Sequence, residues 1–482
     1  MIKKTSVRSP KWVLRLLTPI ARLSFFRFLR DQAPPRLLPT PVKRWQRNAQ
    51  RDKMRPDEEG VFMKKLRYFA LVLVLFTGPV AAASMQGVKP EEVGFSSERL
   101  ARIQQTVERH IDAHDIAGAV TLVARRGRIA QFEAYGLADL DSRKPMSKDS
   151  LFWIASMSKP ITGVAILMLL EEGKVGLTDP VSNFIPDFRG LKVAMLQERT
   201  GPPAAGSASG PPQYYTVPPN REITIRDLLS HVSGLASGGP ASTAEVAKDP
   251  RRPGETLATY IPRLGATPLD FQPGTRWSYS PGAGFDTLAR IVEIASGQSF
   301  DPFLRRQIFE PLGMKDIFFH PAEDRLPRIA SIYHRDGGTL TKVDQQSRLA
   351  NTTYFSGAGG LMTDAEDYLQ FGQMLLNGGQ LNGKRLLSPK TVELMSAVHA
   401  ADTLPGRPKG GGFGLSVQVA SDAVAAVYRV SNGSYGWDGA FGTHFWVDPK
   451  EKLVGILMAQ TNNPNSELDR DFENAVMQAL VE

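Results

Sequence analysis

The segment LFWIASMSKPITGVAILMLLEEGKVGLTDP, residues 151–180, joins a short apolar run to a longer apolar helix through a serine. Residues 151–155 have the composition and length of a buried strand, and from residue 157 the apolar residues recur at helical spacing. Ser156 is therefore predicted at the start of a helix, with Lys159 one turn away. A serine beside an amine at a helix N-terminus can be a nucleophile with its own base. It can equally be a helix cap beside a solvated lysine.

The rest of the chain divides into strand patterns near its two ends and helical patterns between them. Strands are predicted at residues 119–124, 128–134, 414–419, 425–430, 442–447 and 452–459. Helices in the middle are predicted at residues 157–172, 224–231, 286–296, 300–308 and 364–376. Short turns between consecutive strands favour antiparallel pairing. The predicted fold class is α/β (α+β), an antiparallel sheet flanked by helices and built from both chain ends, with an all-helical lobe inserted in the middle.

The composition excludes several classes of function. The chain has 482 residues, no cysteine and a formal net charge of +9. Without cysteine there is no disulfide, thiolate metal site or cysteine nucleophile. The positive charge lies at the N-terminus, since residues 1–62 carry 15 Lys and Arg against 5 Asp and Glu, whereas residues 84–482 carry 40 against 44. This distribution argues against a nucleic-acid partner, and the lack of a metal-binding motif predicts no metal and no cofactor.

Residues 63–83, MKKLRYFALVLVLFTGPVAAA, are typical of a secretory signal peptide. This segment has a basic start, followed by a short apolar core and then a cleavage site of small residues. We therefore expect a periplasmic or secreted protein with no stable membrane anchor after cleavage. Residues 1–62 are interpreted as a mis-called or disordered basic extension; the alternative is a cytoplasmic arm on a signal anchor.

Five blocks of the chain follow one another in a recognisable order: FWIASMSKPIT at 152–162, TIRDLLSHVSGL at 224–235, WSYSPGAGFDTLARIVEIASG at 277–297, FSGAGGLMTDAEDY at 355–368 and WDGAFGTHFWVDP at 437–449. Together they resemble the serine β-lactamase and penicillin-binding-protein superfamily, closest to class C β-lactamases and family VIII carboxylesterases. The resemblance implies one β-lactamase-like serine hydrolase domain over residues 92–482. One Ser-x-x-Lys spacing arises easily by chance, whereas five blocks in order do not, so the catalytic interpretation of Ser156 is favoured over the helix cap.

The resemblance also implies roles for single residues. Ser156 matches the nucleophile that is acylated, Lys159 the residue that takes up its proton, and Tyr279 the tyrosine of the Tyr-x-Asn motif. A lysine ammonium beside the phenol is expected to favour the phenolate, so that lysine and tyrosine pass a proton between serine and leaving group. Which of the two is the working base stays open. His231 is either a general base or, as favoured here, a residue that holds the following loop.

The third motif of the superfamily is where this chain departs from β-lactamases. They carry Lys-Thr-Gly, whereas the matching positions here are Trp437, Asp438 and Gly439, similar to the Trp-Gly-Gly of family VIII esterases. These residues and Ala440 are the predicted substrate-binding residues, with the N–H groups of Ala440 and Ser156 as the oxyanion hole. No cation for a substrate carboxylate is evident without the lysine. Asp438 is expected to place a carboxylate near the site and to repel anionic substrates.

The expected function is that of a serine hydrolase that forms an acyl-enzyme on Ser156, a carboxylesterase rather than a β-lactamase, acting on a small-molecule ester or amide. Pro281 stands where the Tyr-x-Asn motif has an asparagine. The chain therefore lacks an amide side chain that could orient Lys159. His444 is expected to be an ordinary strand residue.

Two alternatives to this function are open: a β-lactamase or D-Ala-D-Ala peptidase acting on cell-wall-type amides, and a catalytically silent penicillin-binding-like binding protein.

Overall fold

The computed structural model describes residues 85–197, 213–345, 349, 352–463 and 467–482. These residues belong to one compact unit. The predicted basic extension, residues 1–62, and the predicted signal peptide, residues 63–83, lie outside them. Every helix in the described ranges falls short of the length and apolar character needed to cross a bilayer.

An eight-stranded antiparallel sheet holds the two ends of the domain together. Its strands in chain order are β1 (Gly118–Arg125), β2 (Arg128–Asp139), β3 (Lys144–Pro145), β4 (Gly411–Phe413), β5 (Gln418–Ala420), β6 (Tyr435–Gly439), β7 (Thr443–Asp448) and β8 (Leu453–Ala459). Their order in space is β4-β5-β6-β7-β8-β1-β2-β3, and the two chain segments meet where β8 pairs with β1. All residues of β1 and β8 are buried, because helices cover both faces there.

Five longer helices pack on or beside this sheet: α1 (Arg102–Asp112), α2 (Ser158–Glu171), α3 (Ala283–Ser296), α4 (Ala365–Leu376) and α5 (Leu468–Met477). Shorter helices lie at Ser97–Leu100, Ile225–Leu229, Pro240–Lys248, Leu257–Tyr260, Phe300–Leu304, Glu310–Leu312 and Pro389–Ser396. Strand residues alternate between two cores. Val120 and Leu122 of β1 share a core with α2 and α4, whereas Ala119 and Val123 share one with α1 and α5. We call these the front and the rear face of the sheet.

The fold class predicted from the sequence is confirmed, and several details differ. The middle of the chain is not all helical, because Val193–Leu196 and Tyr214–Val217 pair as a two-stranded sheet. Further short strands pair at Phe152–Trp153 with Met362–Thr363, Tyr333–Asp336 with Thr339–Lys342 and Thr461–Asn462, and Gln380–Leu381 with Lys384–Arg385. The strand predicted at 425–430 is wrong. That segment forms turns and bends, in which Val427 has a φ of +59° and is 84% exposed, whereas Val430 is buried in the rear core without joining a strand. The strand predicted at 414–419 is also misplaced, since the strands there are Gly411–Phe413 and Gln418–Ala420.

Candidate active site

Ser156 lies in a tight turn between a strand and helix α2. Phe152–Trp153 pairs with Met362–Thr363, and Ala155–Met157 then forms a single 3₁₀ turn before the helix begins at Ser158. Ala155 has a φ of +42°, a left-handed conformation that non-glycine residues adopt only where surrounding packing imposes it. The half-buried serine thus stands ahead of the helix N-terminus, as the sequence predicted.

Lys159 is fully buried and uses its ammonium group to join three parts of the chain. Its Nζ lies 3.1 Å from Ser156 Oγ and donates to the carbonyl oxygens of Pro281, at 2.9 Å, and Ala358, at 2.7 Å. The two carbonyls orient the amine toward the serine. Pro281 therefore takes part in the site through its backbone, although it lacks the amide side chain of the motif it replaces.

Burial lowers the pKa of Lys159 to about 7, against the opposing effect of the Asp286 carboxylate. Asp286 is itself buried on α3 and accepts hydrogen bonds from Tyr354 Oη at 2.8 Å, Ser356 Oγ at 2.7 Å and Ala358 N at 3.0 Å. Burial raises the pKa of Asp286, and these three donors oppose that rise. The lysine is therefore poised between amine and ammonium at neutral pH, which suits a proton acceptor.

Tyr279 completes the group around the nucleophile. Its hydroxyl donates to Ser156 Oγ over 2.6 Å, and Lys159 Nζ lies 5.0 Å from the centre of its ring. Burial raises the pKa of Tyr279, and the contacts with Ser156 and Trp437 only partly oppose this. The expectation that lysine favours the phenolate is therefore wrong, because the amine lies over the ring face and the oxygen is desolvated. Tyr279 acts here as a neutral hydrogen-bond donor.

His231 lies behind Tyr279 and supports its loop. The histidine is buried at a φ of +58°, and its Nδ1 accepts a hydrogen bond from Ser280 N at 3.2 Å. Its ring centre is 4.7 Å from that of Tyr279. Burial, with the nearby charges of Lys159 and Arg407, holds the pKa of His231 well below its usual range. His231 is therefore placed to hold a loop, as favoured from the sequence, but the loop is that of Tyr279 and not the one that follows His231 in the chain.

Strand β6 passes beside the turn that carries the serine. A side chain on Gly439 would bring its Cβ within 2.5 Å of the Ile154 carbonyl oxygen, so the close approach requires glycine. The Trp437 ring lies 5.5 Å from the Tyr279 ring and faces the site. Ala440 follows in the turn that a hydrogen bond from Gly442 N to Gly439 O closes at 3.0 Å. Its N–H and that of Ser156 remain the predicted oxyanion hole.

Asp438 lies near the site, since its charge adds to the rise in the pKa of Tyr279, but its side chain does not face the site as expected. Successive strand residues point to opposite faces, so its side chain lies on the rear face while Trp437 lies on the front. There its Oδ1 is 2.5 Å from His444 Nδ1. Asp438, His444 and Asp469 bring three donor atoms within 4.8 Å of one another, a grouping that could hold a metal ion, but it lies across the sheet from Ser156.

Arg407 is a cation near the site that the sequence did not indicate, because it lies outside the five blocks. Its guanidinium stacks 4.5 Å from the Trp277 ring and lies 5.5 Å from Phe413, a ring that in turn contacts Trp437. Its Nε and Nη2 donate to the carbonyls of residues 411 and 412. Within the described ranges it forms no ion pair with a carboxylate. A positive charge thus stands beside the aromatic rings of Trp277 and Phe413, which adjoin Trp437 and Tyr279.

Residues 103–479 match the family model for β-lactamases. The chain belongs to the β-lactamase family. Protein Rv1367c of Mycobacterium tuberculosis (strain ATCC 25618 / H37Rv) is 34% identical to it over 374 residues, 74% of this chain and 89% of that protein. Esterase EstB of Burkholderia gladioli is 29% identical over 387 residues, 75% of this chain and 90% of the esterase.

Solved structures agree with this β-lactamase-family assignment. EstCE1, a hydrolase with promiscuous acyltransferase activity, has a TM-score of 0.66 to this structure at 26% identity, covering 79% of this chain and 99% of EstCE1. The resemblance drawn from the five sequence blocks is therefore confirmed. As a member of the β-lactamase family with an esterase and a hydrolase among its relatives, the chain is a hydrolase.

Proposed function

We propose that this protein is a serine carboxylesterase that forms an acyl-enzyme on Ser156. One observation carries the proposal: Ser156 Oγ lies 3.1 Å from the buried amine of Lys159 and 2.6 Å from the hydroxyl of Tyr279. The nucleophilic oxygen of Ser156 thus contacts both a base, Lys159, with a pKa near neutrality and a second proton carrier, Tyr279. No cofactor enters the proposed mechanism.

The reaction follows from these positions. Neutral Lys159 takes the proton of Ser156 as Oγ bonds to the ester carbonyl carbon, and the carbonyl oxygen becomes an oxyanion that the N–H groups of Ser156 and Ala440 stabilise. The tetrahedral intermediate collapses, the C–O bond to the alcohol breaks, and the proton returns from the Lys159 ammonium through the Tyr279 hydroxyl to the leaving oxygen. Water then attacks the acyl-enzyme with the same base, which releases the acid and restores Ser156.

The lining of the site supports esters over β-lactams. Trp437 stands where β-lactamases carry a lysine, and its ring packs 5.5 Å from Tyr279 and 5.1 Å from Phe413. These rings offer an apolar wall to an uncharged acyl or alcohol group. The similarity to esterase EstB supports the same preference.

Mass spectrometry of the intact protein and its peptides tests the proposed function. We expect an acyl adduct on Ser156 after brief mixing with p-nitrophenyl butyrate, and none on the Ser156→Ala variant. Matched samples receive a penicillin and a D-alanyl amide. An adduct formed only by these amides would replace the esterase proposal with a β-lactamase or peptidase. Failure of a fluorophosphonate to label Ser156 would favour the alternative of a catalytically silent binding protein.

The pH dependence of kcat/KM is expected to follow Lys159. With its pKa at about 7, the activity rises with pH and has its inflection near neutrality, because only the neutral amine accepts the serine proton. Asp286 opposes the lowering of that pKa, so Asp286→Asn is expected to move the inflection to lower pH. Hydrolysis of p-nitrophenyl butyrate from pH 5 to 9 measures both.

The matched control for that shift is Asp301→Asn, which removes a carboxylate that pairs with Arg305 at 3.7 Å on a neighbouring helix. This variant should keep the wild-type inflection. If Asp286→Asn also keeps it, Lys159 is not the group that sets the activity.

A further inference from the structure

We propose that His444 is a positioning residue for the active site. It links Asp438, on the strand that passes beside the nucleophile, to Glu473 on the C-terminal helix α5, and so holds strand β6 in place. The inference rests on the proposed function, because its effect is measured on Ser156.

The geometry of this link is the first support. Asp438 and His444 are directly opposite each other in the β6–β7 ladder. His444 Nδ1 lies 2.5 Å from Asp438 Oδ1, and its Nε2 lies 3.2 Å from Glu473 Oε1. The histidine is only 7% exposed, and the Trp446 ring stacks on it at 5.5 Å. Each ring nitrogen thus faces a carboxylate from a different element.

The charges around His444 favour its protonated form. The groups that face this region are Asp438 from β6, Asp469, Arg470 and Glu473 from α5, and Tyr428 from the turn before β6. Burial alone would lower the pKa of His444, but the Asp438 and Glu473 carboxylates raise it well above its usual range. An imidazolium has two N–H donors and can bond both carboxylates, whereas neutral imidazole has one.

The link reaches the nucleophile through β6. The residues on either side of Asp438 are the ones that approach the site, since Trp437 contacts Tyr279 and Gly439 packs against the Ile154 carbonyl. Ile154 immediately precedes the turn that carries Ser156. Because Gly439 has no space to spare, a small shift of β6 displaces either that turn or the predicted oxyanion donor. Misplacement of reacting groups by about 1 Å can cost about 100-fold in rate.

The test compares Asp438→Asn, His444→Gln and the double variant in the hydrolysis of p-nitrophenyl butyrate. We expect each single change to lower kcat about 10-fold with little change in KM, because the group that moves acts on the transition state. The double variant should be no slower than the slower single variant, since both changes break the same link.

A second histidine in this chain provides the matched control. His110 on α1 lies 2.8 Å from an Asp115 oxygen and 3.1 Å from an Asp471 oxygen, a similar arrangement that involves no residue of β6. Asp115→Asn should lower the melting temperature while leaving kcat and its pH profile unchanged. If Asp438→Asn and His444→Gln behave in the same way as this control, the link is only structural and the inference is wrong.

Failure of the inference is distinct from failure of the proposed function. A wild-type protein that hydrolyses esters, with variants as active as wild type, overturns the positioning role alone. Measuring how fast a fluorophosphonate labels Ser156 compares wild type and the variants without using an ester. A wild-type protein inert to both reagents overturns the proposed function and this inference together.

Discussion

Replacing Ser156 with alanine is expected to abolish ester hydrolysis, lowering kcat/KM for p-nitrophenyl butyrate by about 10⁴-fold or more. The hydroxyl is the atom on which the proposed acyl-enzyme forms, and both Lys159 and Tyr279 direct their polar groups at it. Removing it leaves binding and the oxyanion donors but no nucleophile. Steady-state kinetics with purified wild type and variant measure the difference, and circular dichroism verifies that both are folded.

Ser158→Ala is the matched control for that experiment. Ser158 lies two residues further along, is fully buried, and its Oγ accepts a hydrogen bond from Leu361 N at 3.2 Å. Its loss should cost about 1 kcal/mol of stability and little activity. Equal rates for wild type and Ser156→Ala would contradict the proposed function at its centre.

Replacing Lys159 with methionine is expected to lower kcat about 10³-fold, the scale of a lost general base. Methionine keeps the volume of the buried chain, so the fold should survive. Burial disfavours the charged form of Lys159 and lowers its pKa to about 7. The neutral amine is therefore available as a base near neutral pH. Because the titrating base is gone, the residual activity should lose the rise in kcat/KM near pH 7, and a pH series on the variant measures this.

Lys174→Met provides the comparison for the lysine experiment, since Lys174 follows α2 and pairs on the surface with Glu172 at 2.7 Å. It should behave as wild type. If Lys159→Met keeps most of the activity and the same pH profile, the proton acceptor is another group, and Tyr279 becomes the first candidate.

The proximity of Ser156, Lys159 and Tyr279 was predicted either from a short-range sequence pattern or from the sequence blocks that resemble the family. Ser156 and Lys159 are one helical turn apart, so their proximity follows from local geometry alone. Tyr279 lies 123 residues further along and was placed only through the resemblance; the structure brings its hydroxyl to 2.6 Å from the serine. Asp286 was seen only as the start of a helix, because nothing in the sequence shows that Tyr354, Ser356 and the Ala358 amide converge on it.

The sequence by itself determined the fold class and the strand, turn and helix that present Ser156 with Lys159, because hydrophobic periodicity and i, i+3 spacing act over a few residues. The tertiary structure alone decided the state and direction of the polar groups. Burial, which is a property of the whole packed domain, sets the pKa of Lys159 and keeps Tyr279 protonated. The register of β6 against β7 turns Asp438 away from the substrate and onto His444. A shift of one residue in that pairing would have reversed the two faces, and no local pattern specifies it.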